Sequence, residues 1–237
     1  MSTDRVAIIT GASRGIGAGL VEAFRASGYN VIANSRNITD SHDPGILAVA
    51  GDIGDPRTAH RLVDVAAGAF GRVDTLINNA GVFVPKPFTA YTPEDYALVT
   101  SVNALGFFHI TQRVIGQILD QGGGGHIINI TTTLAEQAQS AVPSALTALT
   151  KGGLAAVTKS LAVEYARQHI RVNAISPGVI DTPMHRGVDA HHAYAGMHPQ
   201  NRIGAVADVV HAALYLETAP FVTGAVLHVD GGQSAGH

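Results

Sequence analysis

The chain of 237 residues has no cysteine, which excludes disulfides and thiolate metal sites. Charge is sparse as well. Only 14% of residues are charged and the formal net charge is -3, too small an imbalance to draw in nucleic acid or a membrane surface. No apolar run is long enough to span a bilayer. An apolar stretch, Val6-Ala7-Ile8-Ile9, begins so early that no secretory leader is expected before it, and a reducing cytoplasm is the expected setting. A small-molecule partner is the expectation these absences leave.

What is present is hydrophobic and periodic. Hydrophobic residues make up 46% of the chain, enough to bury a large core, and the length suits one α/β domain spanning residues 1–237. Short β-branched runs at 5–10, 30–35, 46–49, 75–77, 126–131, 171–175 and 225–228 alternate with helical patterns at 16–27, 56–70, 93–101, 102–121, 144–168 and 206–216. Apolar strands separated by helices predict parallel pairing through right-handed crossovers, in a sheet covered on both faces. The expected fold class is therefore α/β, a single-domain Rossmann-type doubly wound parallel sheet of about seven strands with helices on both faces. Between Arg36 and Gly45 the connection is too short for a full helix, so that side of the sheet is expected to be thinly covered. The Gly122–Gly125 run reads as a loop that ends a helix.

The segment Thr10-Gly11-Ala12-Ser13-Arg14-Gly15-Ile16-Gly17 follows the first strand and opens the first helix. A glycine-spaced turn in that context lets backbone approach a pyrophosphate and aims helix N–H groups at it. Three further segments follow in order: Asn78-Asn79-Ala80-Gly81 after strand four, Ser176-Pro177-Gly178 after strand six, and Val222-Thr223-Gly224 with Val229-Asp230-Gly231-Gly232 near the end. Together the four signatures resemble those of the short-chain dehydrogenase/reductase family over essentially the whole chain.

The resemblance implies a pyridine dinucleotide cofactor. Gly11, Ser13, Arg14, Ile16 and Gly17 would line its phosphates and adenosine, and Asp52 and Ile53 would flank the adenine. Asn79, Ala80 and Gly81 would sit beside the ribose near the nicotinamide. Pro177, Gly178, Ile180 and Thr182 would hold the nicotinamide end, and Lys151 would bond the nicotinamide ribose. Where strand two ends, an acidic residue would accept from the adenine ribose hydroxyls and repel a 2′-phosphate. This chain instead has Asn34-Ser35-Arg36, with Arg14 in the glycine loop, so NADP(H) is favoured over NAD(H) because guanidiniums bind phosphate bidentately. The alternative is that both arginines are simply solvated. The family also implies a homo-oligomer, a dimer or tetramer formed through the helices at 102–121 and 144–168.

Catalysis in the family uses a tyrosine and, four residues later, a lysine that lowers its pKa, together with a serine and an asparagine. Lys151 matches the lysine, Asn103 the asparagine, and Thr132 stands at the serine, with Thr131 or Thr133 as alternatives. At the tyrosine's place the chain has Thr147. A phenol titrates near pH 10 and can be drawn toward neutrality, whereas an alkyl alcohol is far too weak an acid. Ser144, Thr147 and Lys151 share one helix face, as a polar strip, or with Ser144 capping the helix.

A lid expected at about 183–203 holds His185, His191, His192, Tyr194 and His198, which are substitute proton donors or ordinary exposed residues. No carboxylate spacing accompanies them and no metal site is expected. Phe83, Val84, Phe88 and Met184 are candidates for an apolar substrate pocket or for core. Three functions remain open: an oxidoreductase with altered proton delivery, a silent NADP-binding sensor or scaffold, and an inactive subunit that partners an active relative.

Overall fold

In the computed structural model, which describes residues 5–185 and 194–236, seven parallel strands form one sheet in the order β3-β2-β1-β4-β5-β6-β7. The strands are β1 Val6–Thr10, β2 Asn30–Ser35, β3 Ile46–Ala50, β4 Thr75–Asn78, β5 Gly125–Ile130, β6 Ile170–Pro177 and β7 Val226–Val229. Six α-helices connect them among the described residues: α1 Gly15–Ala26, α2 Pro56–Phe70, α3 Pro93–Thr100, α4 Gly106–Gln121, α5 Ala145–Glu164 and α6 Val206–Thr218.

Strand alternation sends neighbouring side chains to opposite faces. Val6 and Ile8 of β1 pack with Leu62 and Val63 of α2 and with Ile110 and Val114 of α4. Ala7 and Ile9 of the same strand pack on the other face with Leu20 and Phe24 of α1 and with Val209 and Ala213 of α6. All of these are fully buried, and each Ile, Leu, Val or Phe so buried contributes about 1.5–3 kcal/mol of transfer free energy. β1 therefore sits at the centre of a three-layer sandwich and presents its carboxyl end, Thr10-Gly11, to the crevice beside β4. No helix intervenes between β2 and β3 among the described residues, as the short connection predicts.

Most element boundaries shift by a residue or two, and three features depart further from the sequence expectation. The helices expected at 93–101 and 102–121 are joined by a π turn, Ser101–Leu105, and not by a break. Hydrophobic periodicity does not register one extra residue per turn. The helix expected at 144–168 ends at Glu164, and a 3₁₀ turn, Ala166–Gln168, leads to His169 in the left-handed region at φ 59°. Ser144 occupies the N-cap position of α5, but its side chain caps nothing. Its backbone, at φ -140° and ψ 19°, lacks the extended conformation that turns a capping hydroxyl onto the first helical N–H groups. Asp55 and Thr92 have that conformation and do cap α2 and α3. No helix among the described residues is long and apolar enough to cross a membrane.

Candidate active site

A cavity of about 480 Å³ opens at the carboxyl ends of the strands, where the order reverses between β1 and β4. Such crevices are where open α/β sheets bind ligands. Close packing of the first loop shapes one wall. A Cβ on Gly17 would lie 2.2 Å from the Gly11 carbonyl oxygen, and one on Gly11 would lie 2.9 Å from Ala80 Cα. Gly11 also has φ +65°, which a side chain would strain. Asn79 ties the wall together, its Nδ2 donating to the carbonyls of Thr10 and Gly11 at 2.9 and 3.1 Å. Thr10 Oγ1 accepts from the N–H groups of Asn79 and Ala80.

The residues expected at a nucleotide all line this cavity. Gly11, Ser13, Arg14, Ile16 and Gly17 come from the first loop and helix, Ser35 and Arg36 from the end of β2, and Asp52 and Ile53 from beyond β3. Asn79, Ala80 and Gly81 follow β4, and Pro177, Gly178, Ile180 and Thr182 follow β6. The Ser35 hydroxyl is buried without a partner, and Arg14 and Arg36, which line the same cavity, are exposed. Asn34 is used up inside the fold, donating to the carbonyls of Val49 and Gly51.

At the other end, Thr132, Thr147 and Lys151 also line the cavity. Lys151 is buried, its Nζ donating to the Ile130 carbonyl at 2.8 Å. Burial alone draws its pKa down to about 8. A Cβ on Gly81 would lie 3.1 Å from that Nζ, so glycine there lets β4's exit loop close over the lysine. Thr147, one turn earlier in α5, is 5% exposed and its Oγ1 has no hydrogen-bond partner. Thr131 and Thr133 spend their hydroxyls on the Ile175 carbonyl and on the Ser176 carbonyl and Asp230, respectively. Thr132 Oγ1 accepts from the Leu134 N–H at 3.3 Å, which leaves its own proton for a ligand.

Asn103 does not line the cavity. Held in the π turn and 1% exposed, it accepts from the Val82 N–H at 2.9 Å and donates to the Val82 carbonyl and Thr150 Oγ1. It clamps the loop beyond Gly81 from behind.

The lid candidates fare differently. His198 is buried and accepts the Val179 N–H at Nε2, 3.0 Å away, so it braces the chain after β6 and does not line the cavity. Tyr194 does not line it either. His191 and His192, and the side chain of His185, lie outside the described residues. Phe83 and Met184 line the cavity, but Val84 and Phe88 do not, Phe88 being 76% exposed. Gln233 lines the cavity and was missed; its Nε2 is buried without a partner. The Gly231-Gly232 turn that delivers it is visible in the sequence, but its proximity to the cavity is not.

Fold and cavity together define a nucleotide-binding α/β protein of the doubly wound type. Comparison with known proteins narrows this. Residues 11–234 match a family model described as Enoyl-(Acyl carrier protein) reductase, and the chain belongs to the short-chain dehydrogenase/reductase family. It is 34% identical to 3beta-hydroxysteroid dehydrogenase 1 of Eggerthella lenta, over 97% of this chain and 94% of that protein. It resembles the structure of ElxO with NADP bound at 26% identity and a TM-score of 0.91, covering 98% of this chain and 100% of that one. A 3-ketoacyl-(acyl-carrier-protein) reductase from Brucella melitensis complexed with NADH resembles it at 31% identity and a TM-score of 0.89, with coverage of 98% and 100%. The chain is thus an NAD(P)-dependent oxidoreductase of this family.

Proposed function

We propose that this protein is an NADP(H)-dependent oxidoreductase that moves hydride to or from a small carbonyl, imine or activated alkene, with the accompanying proton supplied by a group other than a tyrosine ahead of Lys151. One observation carries the second half of this reading: Thr147 fills the place one turn before Lys151, and among the described residues no tyrosine and no histidine lines the cavity.

The residues present fit the cofactor. The Gly11–Gly17 cradle admits backbone close to phosphates at the start of α1. The unpartnered Ser35 hydroxyl and the guanidiniums of Arg14 and Arg36 suit a 2′-phosphate. When bound, the nicotinamide supplies the hydride. Lys151 holds the ribose beside it, Thr132 donates to the acceptor oxygen, and Asn103 positions the Gly81–Val82 segment against Lys151. The exposed apolar side chains of Phe108 on α4 and of Leu149 and Val163 on α5 support a homo-oligomer formed through these helices, which light scattering tests directly.

Calorimetry with NADPH and NADH, followed by turnover assays with 2,3-butanedione, 1-pyrroline and cyclohexenone, tests the proposal. At least tenfold tighter NADPH binding and oxidation of NADPH by one of these acceptors are expected. Tighter NADH binding overturns the cofactor assignment. Tight cofactor binding with no turnover of any acceptor overturns the enzymatic reading in favour of a silent sensor.

A further inference from the structure

With Thr147 where a phenol would stand, the proton donor lies elsewhere, and the interior of the cavity narrows the choice. Its charged lining residues among the described ones are Arg14, Arg36, Asp52 and Lys151. The first three belong to the glycine loop, the end of β2 and the loop after β3, and all three are exposed. Lys151 alone stands at the end formed by β5, α5 and the loop after β4. Among the described residues no other titratable side chain lines that end, and Asp230, which accepts from Thr133, lies outside the cavity wall. From β5 comes the Ile130 carbonyl, from the loop after β4 comes Gly81, and Thr147 and Thr150 are its neighbours on α5. Behind Gly81, the Asn103 amide is committed to Val82 and Thr150. From the segment after β5 come Thr131, Thr132 and Thr133, and from beyond β6 come Pro177 and Gly178. Among the described residues the Ile130 carbonyl is the one acceptor of its Nζ–H groups, which leaves the ammonium's other hydrogens for the cavity that Lys151 lines.

We infer that Lys151 is itself the general acid: in the reductive direction its ammonium, directly or through one water lodged where a phenol would stand, delivers the proton to the acceptor's oxygen or nitrogen. The step balances. Hydride from the reduced cofactor forms the new C–H bond, the ammonium gives up its proton to the heteroatom, and the resulting amine regains a proton from solvent. Thr147 is too weak an acid for the task but short enough to leave Lys151 access. Among the described residues no carboxylate lines that end of the cavity, and burial draws the lysine's proton affinity toward the working pH, where a general acid is most effective.

This inference rests on the oxidoreductase reading, and its test separates the two. The chain has three lysines, Lys86, Lys151 and Lys159, so protein labelled with ¹³Cε-lysine gives a spectrum simple enough to assign with one variant. The resonance that vanishes in Lys151→Arg is expected to titrate with a midpoint near 8. With NADPH and 2,3-butanedione, kcat/KM is expected to fall tenfold per pH unit above that same midpoint. Lys151→Arg keeps the positive charge but releases no proton, so kcat is expected to drop by a factor on the order of 10²–10⁴ and the alkaline limb to disappear, with NADPH affinity reduced far less. A lysine midpoint above 9.5, or turnover that is flat between pH 7 and 10, overturns the inference while the oxidoreductase reading stands. No turnover of any acceptor despite bound NADPH overturns both.

Discussion

Glu217 offers the sharpest test of the fold that carries this site. Near the end of α6, its Oε1 accepts from Tyr29 Oη at 2.6 Å and from Thr75 Oγ1 at 3.0 Å, and its Oε2 lies 2.7 Å from His126 Nδ1. The other ring nitrogen of His126 faces two donors, Asn173 Nδ2 at 3.0 Å and Arg171 NH1 at 3.4 Å. It must therefore accept, which puts the proton of a neutral imidazole on Nδ1, aimed at Glu217. In Glu217→Gln the amide oxygen can still serve Tyr29 and Thr75, but the NH₂ then meets the His126 N–H donor to donor. Changing the His126 tautomer only moves the clash to Asn173 and Arg171. Losing one hydrogen bond to a charged group and stranding a buried donor costs about 3 kcal/mol. For a chain of this length that lowers Tm by roughly 6–12 °C.

The same network fixes a pH dependence. Burial holds His126 below the ordinary imidazole value. Burial also acts to raise Glu217, but its hydrogen bonds from His126, Tyr29 and Thr75 outweigh this and leave the carboxyl below its usual value. As pH drops below about 6.5 the unfolded chain takes up a histidine proton that the folded one refuses, so stability falls toward acid. Glu217 contributes stability above the ordinary carboxylate range that is lost as pH falls through its lower folded value, so both groups act in the same direction. The Glu217→Gln deficit should accordingly be full at pH 7 and shrink in strong acid, where Glu217 is itself protonated. Urea denaturation at several pH values measures this, and a deficit under about 1 kcal/mol at pH 7 refutes the network as described.

Other consequences are equally direct. Gly17→Ala should weaken NADPH binding by at least tenfold in calorimetry, because its Cβ would sit 2.2 Å from the Gly11 carbonyl oxygen; Gly68→Ala, whose Cβ meets nothing within 4 Å, should instead stabilise α2 by about 0.5–1 kcal/mol. Thr147→Val removes a buried hydroxyl that has no partner, so thermal denaturation should show equal or higher stability, by up to about 1 kcal/mol; a clear loss would mean that Oγ1 is hydrogen-bonded. Arg36→Ala should lower NADPH affinity about tenfold, a loss near 1.4 kcal/mol, and leave NADH binding unchanged.

Much of the fold was legible because burial on both faces leaves a plain trace. The β-branched run at Val6–Thr10 and the amphipathic α2, with Asp55 and Pro56 at its start, state their structures locally. The glycine loop was legible for a related reason, since a backbone that touches backbone tolerates no side chain. The π turn at Asn103 left no such trace, because its geometry comes from what the Asn103 amide binds across the chain at Val82 and Thr150. Ser144 had the right residue type at the right place, but the wrong dihedral angles left it without a capping bond.

Sequence by itself determined the strand order's raw material, the glycine loop that lines the cavity, and the fact that residue 147 carries no phenol. Each is a property of residue type at a local position. Only the tertiary structure decided which polar groups are already spoken for. It turned His198 inward to brace Val179, withdrew Asn103 from the cavity wall, left Thr132 with a proton to give, and brought Gln233 to the site from the far end of the chain. The reason is that a hydrogen bond is a relation between distant segments, and availability for chemistry is what remains after folding has satisfied the rest.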